Sequence, residues 1–147
     1  MRNDRFVVTV FAARVTFAAC MVFAACITWP SRAATIDIRN DHGGKTAEYA
    51  ARWAQYRREG VSVRIAGPCE SECTMILGHV SRDHICVTPE ARLGFRLAAA
   101  PVGTATLWKS YPTDIKAWVM RNGGLGREAL WLRAPEVYRF FRICDRT

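Results

Sequence analysis

The chain has 147 residues, half of them apolar, and its 21 basic and 13 acidic residues give it a net charge of +8. This length and apolar content are typical of one domain with a modest core, and the absence of repeats or low-complexity runs excludes solenoid and fibrous classes. Four basic residues and one acidic residue fall in the first 33 positions, so the remainder carries +5, with the excess in its C-terminal part.

The first 33 residues predict a secretory signal peptide. Two arginines precede an apolar stretch, and small residues fit cleavage near Ala33. The longest uncharged run, residues 15–30, is short for a bilayer span. Lipid attachment at Cys26 is the alternative. The sequence therefore predicts a periplasmic or secreted protein, with a single domain over residues 34–147.

Periodicity and turn residues predict the secondary structure of this domain. The first predicted elements are a strand at 35–39, a Gly-Gly turn at 41–44, a helix at 45–59 with an aromatic face and a Gly60 C-cap, and a strand at 61–66. A helix at 71–78, strands at 85–88 and 93–97 and a loop at 98–105 follow. The last elements are a helix at 106–121, which is broken near Pro112 with Thr113 or Asp114 as a new N-cap, and a helix from Pro135 to about Cys144. Alternating strands and helices predict an α/β fold with βαβ units, a mostly parallel sheet and a helical C-terminal part.

Four cysteines lie in the predicted domain: Cys69, Cys73, Cys86 and Cys144. An even number in an exported chain predicts two disulfides, in any of three pairings. A four-thiolate zinc site is the alternative, but the spacings match no common zinc module. We therefore expect no metal and no cofactor.

Two turns are candidates for chemistry. Gly43 and Gly44 stand between a strand and a helix, where backbone N–H groups can bind an anion or a developing oxyanion; a plain turn is the simpler interpretation. Ser71 stands at a strand-to-helix turn between Cys69 and Cys73. It is either an exposed nucleophile or a helix N-cap pinned by a disulfide.

In this order, the two turns and the later segment Leu93-Gly94-Phe95-Arg96 resemble the ClpP/crotonase-like superfamily, specifically its exported, ClpP-like members. The resemblance covers residues 35–97. It implies a ClpP/crotonase-like core in which Ser71 holds the nucleophile position and the Gly43-Gly44 loop and the N–H of Glu72 form the oxyanion site. It also implies that the 93–96 segment matches the family's "Leu-Gly-Phe-His" segment, which brings the general base.

Arg96 stands where the family pattern has histidine. A guanidinium stays protonated at ordinary pH, so it cannot accept the serine proton. The other candidate bases are His42, which adjoins the Gly-Gly loop, His79, His84 and Lys45. The family's further βαβ-like portion before the Gly-Gly strand is also missing from the pattern. This suggests a shortened chain with an exposed strand edge, which either a homo-oligomer or the C-terminal helices would cover.

Two functions follow from this resemblance. The favoured one is an exported, catalytically impaired ClpP-like protein that acts as a periplasmic binding or structural module. The alternative is a serine peptidase or hydrolase that acts on a peptide or small acyl substrate, with Ser71 as nucleophile and an unidentified base. Residues 131–142 interleave arginines with aromatics. They predict an amphipathic helix with solvated arginines and a weak contact with anionic surfaces, and we expect no nucleic-acid partner.

Overall fold

The computed structural model describes residues 34–145, so the predicted signal peptide and Cys26 lie outside the described residues. The strands of this part are β1 (Thr35–Ile38), β2 (Ser62–Ile65), β3 (Pro68–Glu70), β4 (Ile85–Val87), β5 (Arg92–Phe95), β6 (Leu130–Arg133) and β7 (Arg142–Ile143). The α-helices are α1 (Thr46–Glu59), α2 (Ile76–His79), α3 (Pro101–Ser110) and α4 (Thr113–Arg121). Among the described residues, no helix has the length and apolar character needed to cross a membrane.

The strands form two sheets. The first has the order β1-β2-β4-β7 and is parallel throughout. In the second, β3 pairs with β5 in parallel and β5 pairs with β6 antiparallel. Parallel neighbours need crossover connections, which α1 supplies between β1 and β2. The prediction of an α/β fold with mostly parallel strands is confirmed.

Helix α1 packs its aromatic face on the core, as its spacing predicted. Trp53 is 1% exposed, and its ring meets those of Tyr49 and Tyr56 edge-on at centroid distances of 5.9 and 5.5 Å. Gly60 ends the helix in the left-handed region at φ 64°, which glycine adopts without a Cβ penalty. The prediction for this helix and its C-cap is confirmed.

Two predictions for the second half of the chain were wrong, and two strands were missed. Residues 98–105 were expected to form a loop, but Pro101 occupies the first turn of α3, where its missing N–H leaves no bond unmade. The expected helix from Pro135 is only a 3-10 turn, Glu136–Arg139, and β7 follows it. Strands β6 and β7 were missed because each is short and is stabilised by pairing with a distant strand.

Neither Thr113 nor Asp114 is the N-cap of α4, so this prediction was also wrong. Pro112 stands at the N-cap position without a side-chain bond. The Asp114 carboxylate instead pairs with both terminal nitrogens of Arg82, at 2.8 and 3.0 Å. Hydrogen bonding from that guanidinium holds the pKa of Asp114 below its usual range.

The four domain cysteines form two disulfides, Cys69–Cys73 and Cys86–Cys144. The predicted number of bridges is confirmed, and the structure selects one of the three pairings. A disulfide sulfur is not the thiolate that zinc requires, so these cysteines do not form the alternative zinc site. One bridge closes the Ser71 turn, and the other ties β4 to the residue after β7.

Candidate functional site

Ser71 directly follows β3, a strand that the sequence analysis missed. Its backbone has φ 54°, and it is the only non-glycine residue with positive φ among residues 34–145. A strained strand-to-helix turn of this kind aims a nucleophile in many hydrolases. The helix expected at 71–78 is divided into a 3-10 turn, Ser71–Met75, and α2. The structure therefore places Ser71 on a sharp turn that opens a helical segment.

The Ser71 hydroxyl is not set up for proton transfer. The residue is 1% exposed, and its Oγ is buried with no hydrogen-bond partner among the described residues. A general base must come within about 3 Å of the proton that it removes. The hydroxyl thus has the backbone position of a nucleophile without a base beside it.

The Gly43-Gly44 loop lies directly against the Ser71 turn. Gly43 has φ 84°, and a Cβ at this position would come within 2.6 Å of Glu72 Oε2 and 3.0 Å of the Glu72 backbone nitrogen. Only glycine allows this approach. The sequence predicted that this loop and this turn act together, and the fold brings them into contact.

Both glycine N–H groups already bind carboxylates of this chain. Gly43 donates to Asp41 Oδ1 at 3.0 Å, and Gly44 donates to Glu72 Oε2 at 3.2 Å. The Tyr49 hydroxyl also donates to Asp41, and burial together with this bond raises the pKa of Tyr49 to about 12. The loop N–H groups therefore bind anionic groups, but these are the Asp41 and Glu72 carboxylates of the same chain.

Glu72 has a role that the sequence analysis did not assign. Only its backbone N–H was considered, whereas its buried carboxylate accepts bonds from the Gly44 N–H and, at 3.3 Å, from the Thr46 hydroxyl. Its carbonyl accepts from the Trp53 indole at 3.3 Å. A carboxylate one residue after a candidate serine, facing a Gly-Gly turn, is the signal that could have indicated this closed arrangement.

Arg96 lies beside the Ser71 turn and pairs with Glu70. Its Nε is 2.5 Å from Glu70 Oε1 without hydrogen-bond alignment, so the contact is an ion pair. The other oxygen, Oε2, lies 3.0 Å from His42 Nδ1. A Cβ on Gly94 would lie 2.9 Å from Glu70 Cγ, so this glycine leaves room for the carboxylate to reach Arg96. Glu70 thus contacts both Arg96, at the histidine position of the family pattern, and His42, the candidate base nearest the Gly-Gly loop.

The remaining candidate bases lie elsewhere. His79 and His84 line a separate cavity with Tyr56 and Arg57. Burial, and secondarily the charge of Arg57, lowers the pKa of His79. Lys45 pairs with Glu48 at 2.9 Å in solvent. Neither that cavity nor that surface pair includes Ser71.

No protein-family model matches the chain, and no curated protein matches it. Among solved structures, it is similar to a ClpP1 mutant from Listeria monocytogenes, with 14% identity over 76% of this chain and 73% of that one and a TM-score of 0.49. It is also similar to a peptidase from Plasmodium falciparum, with 8% identity over 79% of this chain and 80% of that one and a TM-score of 0.50. At this identity the likeness to the Plasmodium peptidase shows the fold alone, and the mixed α/β fold with mostly parallel strands that the sequence predicted is confirmed.

Proposed function

We propose that this chain is a catalytically impaired ClpP-like protein that acts as a periplasmic binding or structural module. The observation that carries the proposal is the buried Ser71 Oγ, which has no hydrogen-bond partner among the described residues. The residue at the histidine position, Arg96, cannot take its proton. Glu72 and Asp41 occupy the Gly44 and Gly43 N–H groups that an oxyanion would need.

The protein acts outside the cytoplasm in this proposal. Two disulfides support export, because such bridges persist in oxidising compartments and are rare in the cytosol. Removal of residues 1–33 would leave one ClpP-like domain over 34–147, in the periplasm or secreted. Attachment through a lipid at Cys26 is the alternative mode of export.

One observation favours a second candidate, a serine hydrolase that uses His42. A carboxylate held at the Nδ1 of a histidine orients the ring and leaves Nε2 free to act as a base, as in catalytic triads. Glu70 holds His42 in this way at 3.0 Å. For hydrolysis, the Gly43-Gly44 loop would have to release Glu72 and expose Ser71.

A fluorophosphonate probe distinguishes the two candidates. We expect wild type to remain unlabelled, because Ser71 is buried and Arg96 cannot act as its base. Labelling of Arg96→His at Ser71 would show that loss of the base is what blocks the reaction, since a positioned base raises reactivity by about 10²- to 10⁴-fold. Ser71→Ala is the labelling control. It should fold at least as stably as wild type, since alanine removes an unpartnered buried hydroxyl.

Labelling of wild type at Ser71 that is lost in His42→Gln would establish the hydrolase and overturn the impaired-enzyme proposal. Intact-mass measurement gives the labelled fraction, and peptide mapping locates it. Circular dichroism of each variant confirms that an unlabelled protein is folded.

Among residues 34–145 no strand pairs with the outer edge of β1, and this edge supports the proposal of a homo-oligomer. Ala34 and Ile38 accept bonds from the β2 side, so by alternation Thr35 and Asp37 direct their backbone groups away from β2. Antiparallel pairing with a second copy can place each Asp37 opposite Arg39 of the other copy. We therefore expect a weak dimer, because two such short strands bury little area.

Charge reversal at this edge tests the dimer. Asp37→Arg should weaken association of the exported protein, because like charges would then face each other across the pair. Adding Arg39→Asp should restore it by swapping both charges. Sedimentation velocity over a concentration series measures the association, and a wild type that stays monomeric at millimolar concentration contradicts this interface.

A further inference from the structure

A cavity of about 560 Å³ opens beside Arg96 and has no role in the site described above. Its volume lies within the range of small-molecule sites. It is lined by the end of the β5 segment, the start of α3 and one residue of the later loop: Arg96, Leu97, Ala98, Ala99, Pro101, Thr104 and Arg127. The cavity thus begins at the residue that replaces the family's histidine.

The charge at this cavity is positive. Arg96 shares one carboxylate, Glu70, with His42. Its contact with Glu70 is through Nε, and a guanidinium has further donors on its terminal nitrogens. Arg127 has no carboxylate within 4 Å among residues 34–145. Two arginines therefore line the cavity, and Glu70 is the one carboxylate within 4 Å of either guanidinium among residues 34–145.

The remaining walls are small and apolar. Leu97, Ala98, Ala99 and Pro101 present aliphatic surface, and Thr104 is bonded to the backbone of Ala98 at 3.0 Å. Pro101 is also the first residue of α3, whose N-terminal end favours negative charge. A ligand that fits these walls has an anionic group for the arginines and a short aliphatic part.

We infer that this cavity binds an aliphatic carboxylate, such as the free C-terminus of a peptide that ends in a small apolar residue. Guanidinium groups recognise carboxylates through paired hydrogen bonds to two anionic oxygens. An amide of the same shape is neutral and has only one acceptor oxygen, so it cannot form this pair. The inference rests on the proposed binding function and names its ligand class. Arg96 then holds a ligand at the position where a peptidase holds its base.

Isothermal titration of the exported protein tests this inference with acid and amide pairs. The probes are acetyl-trialanine and its C-terminal amide, and butyrate and butyramide. We expect an acid that binds to do so at least tenfold more tightly than its amide. Arg127→Gln should remove this preference for the acid. Arg127→Lys should retain part of it, and Arg139→Gln, an exposed arginine outside the cavity, should leave it unchanged.

The two ligand sources give different results. Binding of acetyl-trialanine without butyrate identifies a peptide C-terminus, and equal binding of both identifies the carboxylate itself as sufficient. Absence of binding by both acids, or equal affinity for acids and amides, overturns the inference. Failure of this inference can be distinguished from failure of the proposed function by titrating Ser71→Ala. This variant cannot react with a fluorophosphonate, so its carboxylate binding is measured independently of whether wild type is an active hydrolase.

Discussion

Gly78→Ala is expected to lower the free energy of unfolding by about 3 kcal/mol or more, the upper range for overpacking. Gly78 lies in α2, where a Cβ would come within 1.4 Å of the Ser110 carbonyl oxygen and 2.6 Å of its carbonyl carbon. Both contacts are with backbone at the end of α3, so no side-chain rotation can relieve them. The substitution must separate α2 from α3, and α2 directly follows the Ser71 turn.

Gly126→Ala is the matched control. Its nearest neighbours, backbone atoms of Glu128, would be 3.7 and 3.9 Å from the new Cβ, and its φ is not positive. We expect a change below about 0.5 kcal/mol, typical of surface substitutions. Urea unfolding monitored by circular dichroism compares the two variants, and equal midpoints would contradict the close approach of α2 to α3.

Removal of the Cys86–Cys144 bridge is expected to cost about 4 kcal/mol, against about 2 kcal/mol for the Cys69–Cys73 bridge. The difference follows from sequence separation, which is 58 residues for the first bridge and 4 for the second. A longer closed loop removes more conformational freedom from the unfolded chain. Alanine replaces both cysteines of a pair, so that no buried hydroxyl is introduced.

Urea midpoints of the two double variants test this order, and thermal unfolding of reduced wild type provides the comparison without substitutions. A larger loss for the Cys69–Cys73 variant would show that the native turn, rather than the unfolded chain, dominates. A thiol count is the second measurement. We expect no free thiols before reduction and four after it, and four free thiols in exported protein would contradict both bridges.

The local sequence predicted the first half of the fold well. The helix over α1, its Gly60 end and the strands on either side of it depend on periodicity and turn residues that lie within a few positions of each other. The second half was harder, because β6 is stabilised by register with β5 and β7 by register with β4. Pairing energies of this kind come from residues far apart in the chain.

The candidate site shows the same division. The sequence identified Ser71, the Gly43-Gly44 loop and Arg96 as the candidate site. It did not predict that the Glu72 carboxylate occupies the Gly44 N–H or that Glu70 joins Arg96 to His42. These contacts depend on how three separate segments pack together.

By itself, the sequence determined the order of the motifs and the chemistry that Arg96 cannot perform, because a guanidinium keeps its proton in any fold. It also determined that the domain cysteines are even in number. Only the tertiary structure decided which cysteines pair, which carboxylates meet the glycine N–H groups and that the Ser71 hydroxyl is buried without a partner among residues 34–145. The physical reason is separation along the chain. Residue type decides ionisation and local geometry, whereas burial and pairing depend on contacts between residues far apart in sequence, such as Gly44 and Glu72.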